Sequence, residues 1–395
     1  MVFLRSVVGL SLIASVACQG EASSVGDATP SVGEDAGSAP DDAARVDAPF
    51  EDASTPEDTG VDAAVAEDAD VPDVGDTPDA STPDTGVPGE CPAGLSTSEW
   101  TRRADLPRAR GEHANAVVDG RLITLGGIHD HRTGPMEVES YDPATNSWSS
   151  VSSLPELRNH FTTGHAVYAG EIWVCGGKPD GARSEGSTRV DVYNVAADSW
   201  RRGPDLPEDH WAGPAVVVGD SLHVVSGGIN NRESADHHFV LDLRDEDAGW
   251  TRAADVPEAR VHVAGVPYDG KLWLIGGEFH HRHDGDTATV QIYDPATDRW
   301  SSGPSLPEAR SHHEWATFAH GGSIWSVSGV DSANRPRGQE TIYRFDGTEW
   351  RRMFDLPGKL VSPGAKIMDG VLYVFGGGVN DWFGGDLQAT WARCL

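Results

Sequence analysis

Arg110, Arg158, His210, Arg260 and Arg310 each stand three residues after the proline of a Leu-Pro or Val-Pro pair, with Leu360 at the sixth occurrence. A guanidinium is a planar fork of donors that grips a carboxylate or phosphate at two points, so arginines gathered around one opening would recognise an anion. Their competing use is to pair with nearby acids such as Glu112 and brace the loops. Histidines follow closely: His113, His160, His262 and His312 lie two or three residues further on. Imidazole is a proton carrier near neutral pH and a ligand for zinc, copper or nickel. With Glu112, the residues His113, His160 and His262 are the candidates for general acid–base work. The densest histidine groups are His129-x-His131 and His280-His281-x-His283, and His280, His281 and His283 are the candidate metal ligands. Loop histidines without partners to orient them favour the solvated state, and no Cys-x-x-Cys or His-Glu-x-x-His is present. Trp211 and Trp382 offer stacking surfaces for a ligand. Glu112-His113, Asp209-His210 and His313-Glu314 look like acid–base pairs, but neighbours on a strand point to opposite faces.

The elements that must position these groups form a repeat. Trp100, Trp148, Trp200, Trp250, Trp300 and Trp350 are spaced by 48, 52, 50, 50 and 50 residues. A fixed period of this length signals a repeat architecture. After each Trp come the Leu-Pro or Val-Pro pair, an apolar strand, a turn, and a second strand: LITLGG, IWVCGG, LHVVSGG, LWLIGG, IWSVSG and LYVFGG. A long loop leads to a third strand containing Tyr141, Tyr193, Tyr293 or Tyr343, and Asp-Pro turns return the chain to Trp.

These marks resemble the kelch repeat over residues 98–395, which implies an all-β fold: a six-bladed kelch-type β-propeller. Leu241 or Leu243 replaces the repeat's Tyr in the third blade, Ser328-Gly329 replaces Gly-Gly in the fifth, and Trp391 takes the Tyr place in the sixth. The last repeat stops at its third strand, and Trp100 precedes any complete repeat, so the N-terminal strand must complete the last blade. Closure removes the exposed sheet edges. It also brings Cys91 beside Cys394, a predicted disulfide closing a loop worth on the order of 5 kcal/mol in the chain-entropy reckoning. Cys175, in a second strand, is expected to be a buried, inert hydrophobe. In this topology the second-to-third-strand loops and the blade-linking loops emerge on one face, which holds thirteen of the sixteen histidines.

Residues 1–18, with Arg5, an apolar run from Val7 to Ala17 and then Cys18, resemble a bacterial lipoprotein signal. That resemblance implies export, acylation of Cys18 and, from Gln19, passage to the outer membrane or cell surface. Residues 19–90 hold 20 Asp or Glu, one basic residue (Arg45) and one aromatic (Phe50). Such a segment cannot bury enough apolar surface to fold, and is read as a disordered linker with a reach of roughly 40–50 Å. Residues 91–395 are the propeller. The net charge of −32 argues against nucleic acid or a bare anionic bilayer as partner.

The sequence favours a monomeric binding module, tethered to a membrane by its lipid, whose Arg- and His-rich face recognises an anionic ligand such as an acidic glycan or acidic peptide. No cofactor is implied. The similarity in architecture to exported sialic-acid epimerases and mutarotases leaves a sugar-modifying enzyme as an alternative, and kelch domains in general leave a protein-interaction platform.

Overall fold

The computed structural model describes residues 91–129, 132–133, 136–161, 163, 166–179, 185–230, 233–281, 285–333, 337–379 and 388–395, with backbone alone at 132–133. Cys18, the acidic segment, His131, His283 and Trp382 lie outside the described residues.

Six four-stranded antiparallel sheets follow one another along the chain, as the repeat predicts. Blade 1 is built from Ala114–Val118, Arg121–Leu125, Val138–Asp142 and Ser147–Val151, and the next four blades repeat that order. The second strands are buried on both faces because neighbouring blades stack on them; Ser323–Val327 and Val371–Phe375 are buried throughout. The fourth strands, such as Ser199–Arg202, are largely exposed. Tight hairpins join first to second strands: at Asp119-Gly120 both residues have positive φ (50° and 69°), the backbone of a two-residue turn that matches strand twist.

Blade 6 takes Gly364–Met368, Val371–Phe375 and Thr390–Cys394 from the C-terminus and its fourth strand, Thr101–Arg102, from the other end of the domain. Thr101 lies opposite Ala392 and Arg102 opposite Trp391. The Cys91–Cys394 disulfide spans the same corner, with Cα atoms 5.8 Å apart.

The Trp period has a physical cause. Each indole N–H reaches back to a carbonyl in the link before its own blade: Trp148 to Ala104, Trp200 to Ser152, Trp250 to Pro204, Trp300 to Ala254 and Trp350 to Pro304, all at 2.9–3.1 Å. Trp100 donates to Asp355 at 2.8 Å and completes the ring of latches.

Strand register corrects two assignments. Tyr141, Tyr193 and Tyr293 lie opposite the blade's Trp, but in blade 5 that place belongs to Phe345, opposite Trp350, not to Tyr343. In blade 6 Arg393, opposite Leu372, holds it, not Trp391. Residues two apart share a face, so residue type alone could not fix the register. Blade 3 has Leu241 there, opposite Leu222. Cys175 is buried among Trp173, Val190 and Val224, as expected of a small hydrophobe.

Candidate functional site

The blade-linking loops begin with the Leu-Pro or Val-Pro pair, whose apolar member is buried in every blade. The chain then turns inward, and the four arginines go with it, at 0–1% exposure. Arg110 Nη1 donates to the carbonyls of Gly126 and Glu137 at 2.9 and 3.0 Å, and its Nη2 to Glu139 at 2.6 Å. Arg158 repeats this with Gly176, Arg189 and Asp191. Arg260 donates to Gly276 and Thr289, and Arg310 to Ser328 and Thr341 while lying 4.7 Å from the Tyr343 ring. Burial lowers Arg260 and Arg310 to about 10, which leaves both charged at neutral pH. The carbonyls of Arg110, Arg260 and Arg310 accept the Gly377, Gly227 and Gly277 N–H of the preceding blade at 2.8 Å. The expected anion-binding ring is therefore a set of seam braces: each guanidinium ties its own blade's glycine turn to its third strand. His210 is buried beside His237, with ring nitrogens 3.0 Å apart, and burial takes it down to about 3.

Two residues further on, the backbone turns left-handed in every blade. Glu112, His160, Ala212, His262, His312 and Ser362 all have φ of 47–53°. Glu112 N–H bonds to Ser362 O, Ala212 to His160 O and His262 to Ala212 O at 2.6–3.2 Å, so these residues run from blade to blade around the axis. Non-glycine residues held in this conformation cluster at functional sites. The residue before each ring position pairs with the one after the glycine turn, at Gly111↔Ile128, Asn159↔Lys178, Trp211↔Gly228, Val261↔Glu278, Ser311↔Val330 and Val361↔Gly378. Both loop sets thus meet at one end of the propeller.

The side chains there form one connected cluster. His160 and His262 ring centres are 5.7 Å apart, and His281 is 6.0 Å from the first and 5.3 Å from the second. His312 stacks on His262 at 3.8 Å. His160 Nε2 is 3.3 Å from Glu112, its Nδ1 is 2.8 Å from Asn159 Oδ1, and His262 Nδ1 is 2.9 Å from Glu314. Burial, with negative charge from Glu112 and Glu278, pushes the Glu314 carboxyl well above the usual range. One ligand atom from each of His160, His262 and His281 lies within 4.8 Å of the others, as do atoms of His262, Glu278 and His312.

Other predicted site residues lie elsewhere. His113 is buried against Phe375, where desolvation holds its pKa well below the ordinary value, and His313 is hydrogen-bonded to Ser326 and Ile275. Glu112 and His113 do part, but not by strand alternation: both precede the strand Ala114–Val118, and the left-handed Glu112 joins the axial ring while His113 joins the blade core. In blade 5 the short helical turn Glu314–Ala316 places Glu314 on His262 instead. Trp211 is fully buried, not a stacking platform: Lys178 Nζ lies 3.7 Å from its ring centre, and a Cβ on Gly228 would come within 2.1 Å of the indole. His129 and His280 are exposed; of the candidate metal ligands, His281 reaches the cluster.

Glu278 and Lys178 are members the sequence reading passed over, and Glu314 was weighed there only as a neighbour of His313. Each carries a periodic signal: Lys178 and Glu278 directly follow a glycine pair, and Glu314 stands where blades 1 and 4 have Ala114 and Ala264.

The kelch motif matches residues 109–155 and 259–307, the first and fourth blades. The chain is 34% identical over 116 residues to Kelch-like protein 36 of Mus musculus, 28% of this chain and 18% of that protein. It is 36% identical over 146 residues to Kelch-like protein terF of Aspergillus terreus, 34% of this chain and 31% of that one. The matched part is thus under a third of either relative's length. Among solved structures, that of YjhT aligns with a TM-score of 0.58 at 15% identity, covering 73% of this chain and 96% of the other, a likeness of fold. Repeat, ring closure and motif matches together make this chain a kelch-repeat β-propeller.

Proposed function

We propose that this propeller is an extracytoplasmic binding module, held to a membrane through an acylated Cys18 and the acidic segment 19–90, that captures a small anionic ligand at the axial histidine cluster. The observation that carries the reading is the left-handed ring, which gathers His160, His262 and His312 from three blades beside His281. Imidazole N–H groups donate to carboxylate oxygens, which an acidic sugar or acidic peptide presents. The arginines, occupied in the seams, support the site from beneath and do not meet the ligand.

The test is an array of acidic glycans and acidic peptides probed with the purified chain and with a His160→Ala/His281→Ala variant. Carboxylate-bearing hits that disappear in the variant are expected; no hit, or hits indifferent to it, overturns the reading. The tether is tested separately by incorporation of labelled palmitate, which Cys18→Ala must abolish.

A further inference from the structure

We propose that His160, His262 and His281 bind a divalent transition-metal ion, of the zinc class, at the axial end of the propeller. The inference deepens the binding reading above, because it assigns the chemistry by which that same site would hold an anion.

Geometry selects these three rings. Three nitrogens about 2.0–2.1 Å from a tetrahedral zinc set their ring centres about 5 Å apart and mutually tilted. The observed separations are 5.3, 5.7 and 6.0 Å, with interplanar angles of 43°, 60° and 77°. A small inward movement of His281, on its half-buried loop, brings the set to bonding distance. The other grouping, His262 with Glu278 and His312, contains two rings nearly parallel at 18°, whose lone pairs do not converge on one point.

Outer partners are also in place. A metal-bound histidine is generally oriented by a carboxylate or carbonyl on its other nitrogen. Glu314 occupies that role for His262 Nδ1 at 2.9 Å, and Asn159 for His160 Nδ1 at 2.8 Å, while Nε2 of His160 faces Glu112 at 3.3 Å. The sequence argument against a metal, that loop histidines lack such partners, does not apply to these two, which sit on the left-handed ring. Composition points the same way: the carboxyl groups of Glu112, Glu278 and Glu314 are buried among the imidazoles, and a dication would offset negative charge held there. Trp211 packs edge-on against His160 and His281 and closes the apolar side. Three protein ligands leave a coordination position open, through which a ligand's carboxylate would be held.

The test is calorimetric titration of EDTA-treated protein with Zn(II), alongside Co(II) loading followed by visible absorption. One equivalent of Zn(II), intense tetrahedral Co(II) bands, and at least tenfold weaker binding in His160→Ala and in His281→Ala are expected. Glu314→Gln should weaken affinity about tenfold while keeping the stoichiometry. The exposed-histidine variants His129→Ala and His280→Ala should bind as the parent does. Circular dichroism identifies any variant that fails to fold; His281→Ala, on its half-buried loop, keeps the test decisive if His160→Ala does. Binding below one equivalent, unaltered binding in a folded His281→Ala, or loss in His280→Ala instead, overturns the proposal. Array hits on metal-stripped protein separate the two readings: ligand without metal leaves the binding module standing, and metal without ligand leaves this site standing.

Discussion

Removing the Cys91–Cys394 bond tests how the ring is held shut. The bond joins residues 303 positions apart, and the strand that closes blade 6 contributes only two pairs, Thr101↔Ala392 and Arg102↔Trp391. Five pairs join Val371–Phe375 to Thr390–Cys394 in the same blade, so the closing strand is the thin part of the sheet. Loop-closure entropy for a span of this length is roughly 5–6 kcal/mol, an upper bound because a compact denatured chain has less entropy to lose. With a denaturant slope of about 5 kcal/mol/M, Cys91→Ser/Cys394→Ser should unfold at about 1 M lower guanidinium than the oxidised parent, read by tryptophan fluorescence. Hydrogen exchange should accelerate first at the amides of Arg103 and Cys394, which bond to Thr390 O and Ser96 O across the seam. A midpoint within about 0.2 M of the parent, with those amides unchanged, would refute the reasoning. Closure would then rest on the Trp100 latch and the cluster around Leu106, Tyr141 and Tyr373.

Two further outcomes follow from the buried polar groups. Arg110→Ala strands Glu139 in the seam and should cost about 3–5 kcal/mol, whereas Arg108→Ala, removing an exposed pair with Glu137, should cost under about 1 kcal/mol; equal losses in thermal melts would show that Arg110 is no brace. Acid should destabilise blade 3, where His223 and His238 face each other with ring nitrogens 2.9 Å apart and burial takes them down to about 3 and about 4. The folded state keeps both neutral while unfolded histidine gains its proton near pH 6.5, so their stability is present above that pH and lost as pH falls toward the folded values. At pH 5 the loss is about 2 kcal/mol for His223. His223→Val should flatten the dependence of urea stability between pH 6.5 and 5, and an unaltered slope would place the titration elsewhere.

Much of the fold was legible because each blade solves the same local problem. The Trp latch, the left-handed glycine turn and the buried Leu of Leu-Pro each need one residue type at one place, so they recur every fifty residues. The broken last repeat announced how the ring closes, and the pairing of Cys91 with Cys394, at the two ends of the repeat region, followed from it. The site was only half visible. His160, His262 and His312 stood among the candidates by spacing, but the arginines beside them drew the functional reading because they, too, recur.

The sequence by itself determined the repeat, the blade number and the joining of the two ends, since these are written in periodic backbone requirements. Tertiary structure decided which neighbour faces the axis. A left-handed residue two places after the arginine turns Glu112 and His160 inward, while the arginine beside each is held in the blade seam. It also decided the strand register at Phe345 and Arg393, and the meeting of His160, His262 and His281. The first two of these stand in different repeats, and nothing local in the chain records that they share one space.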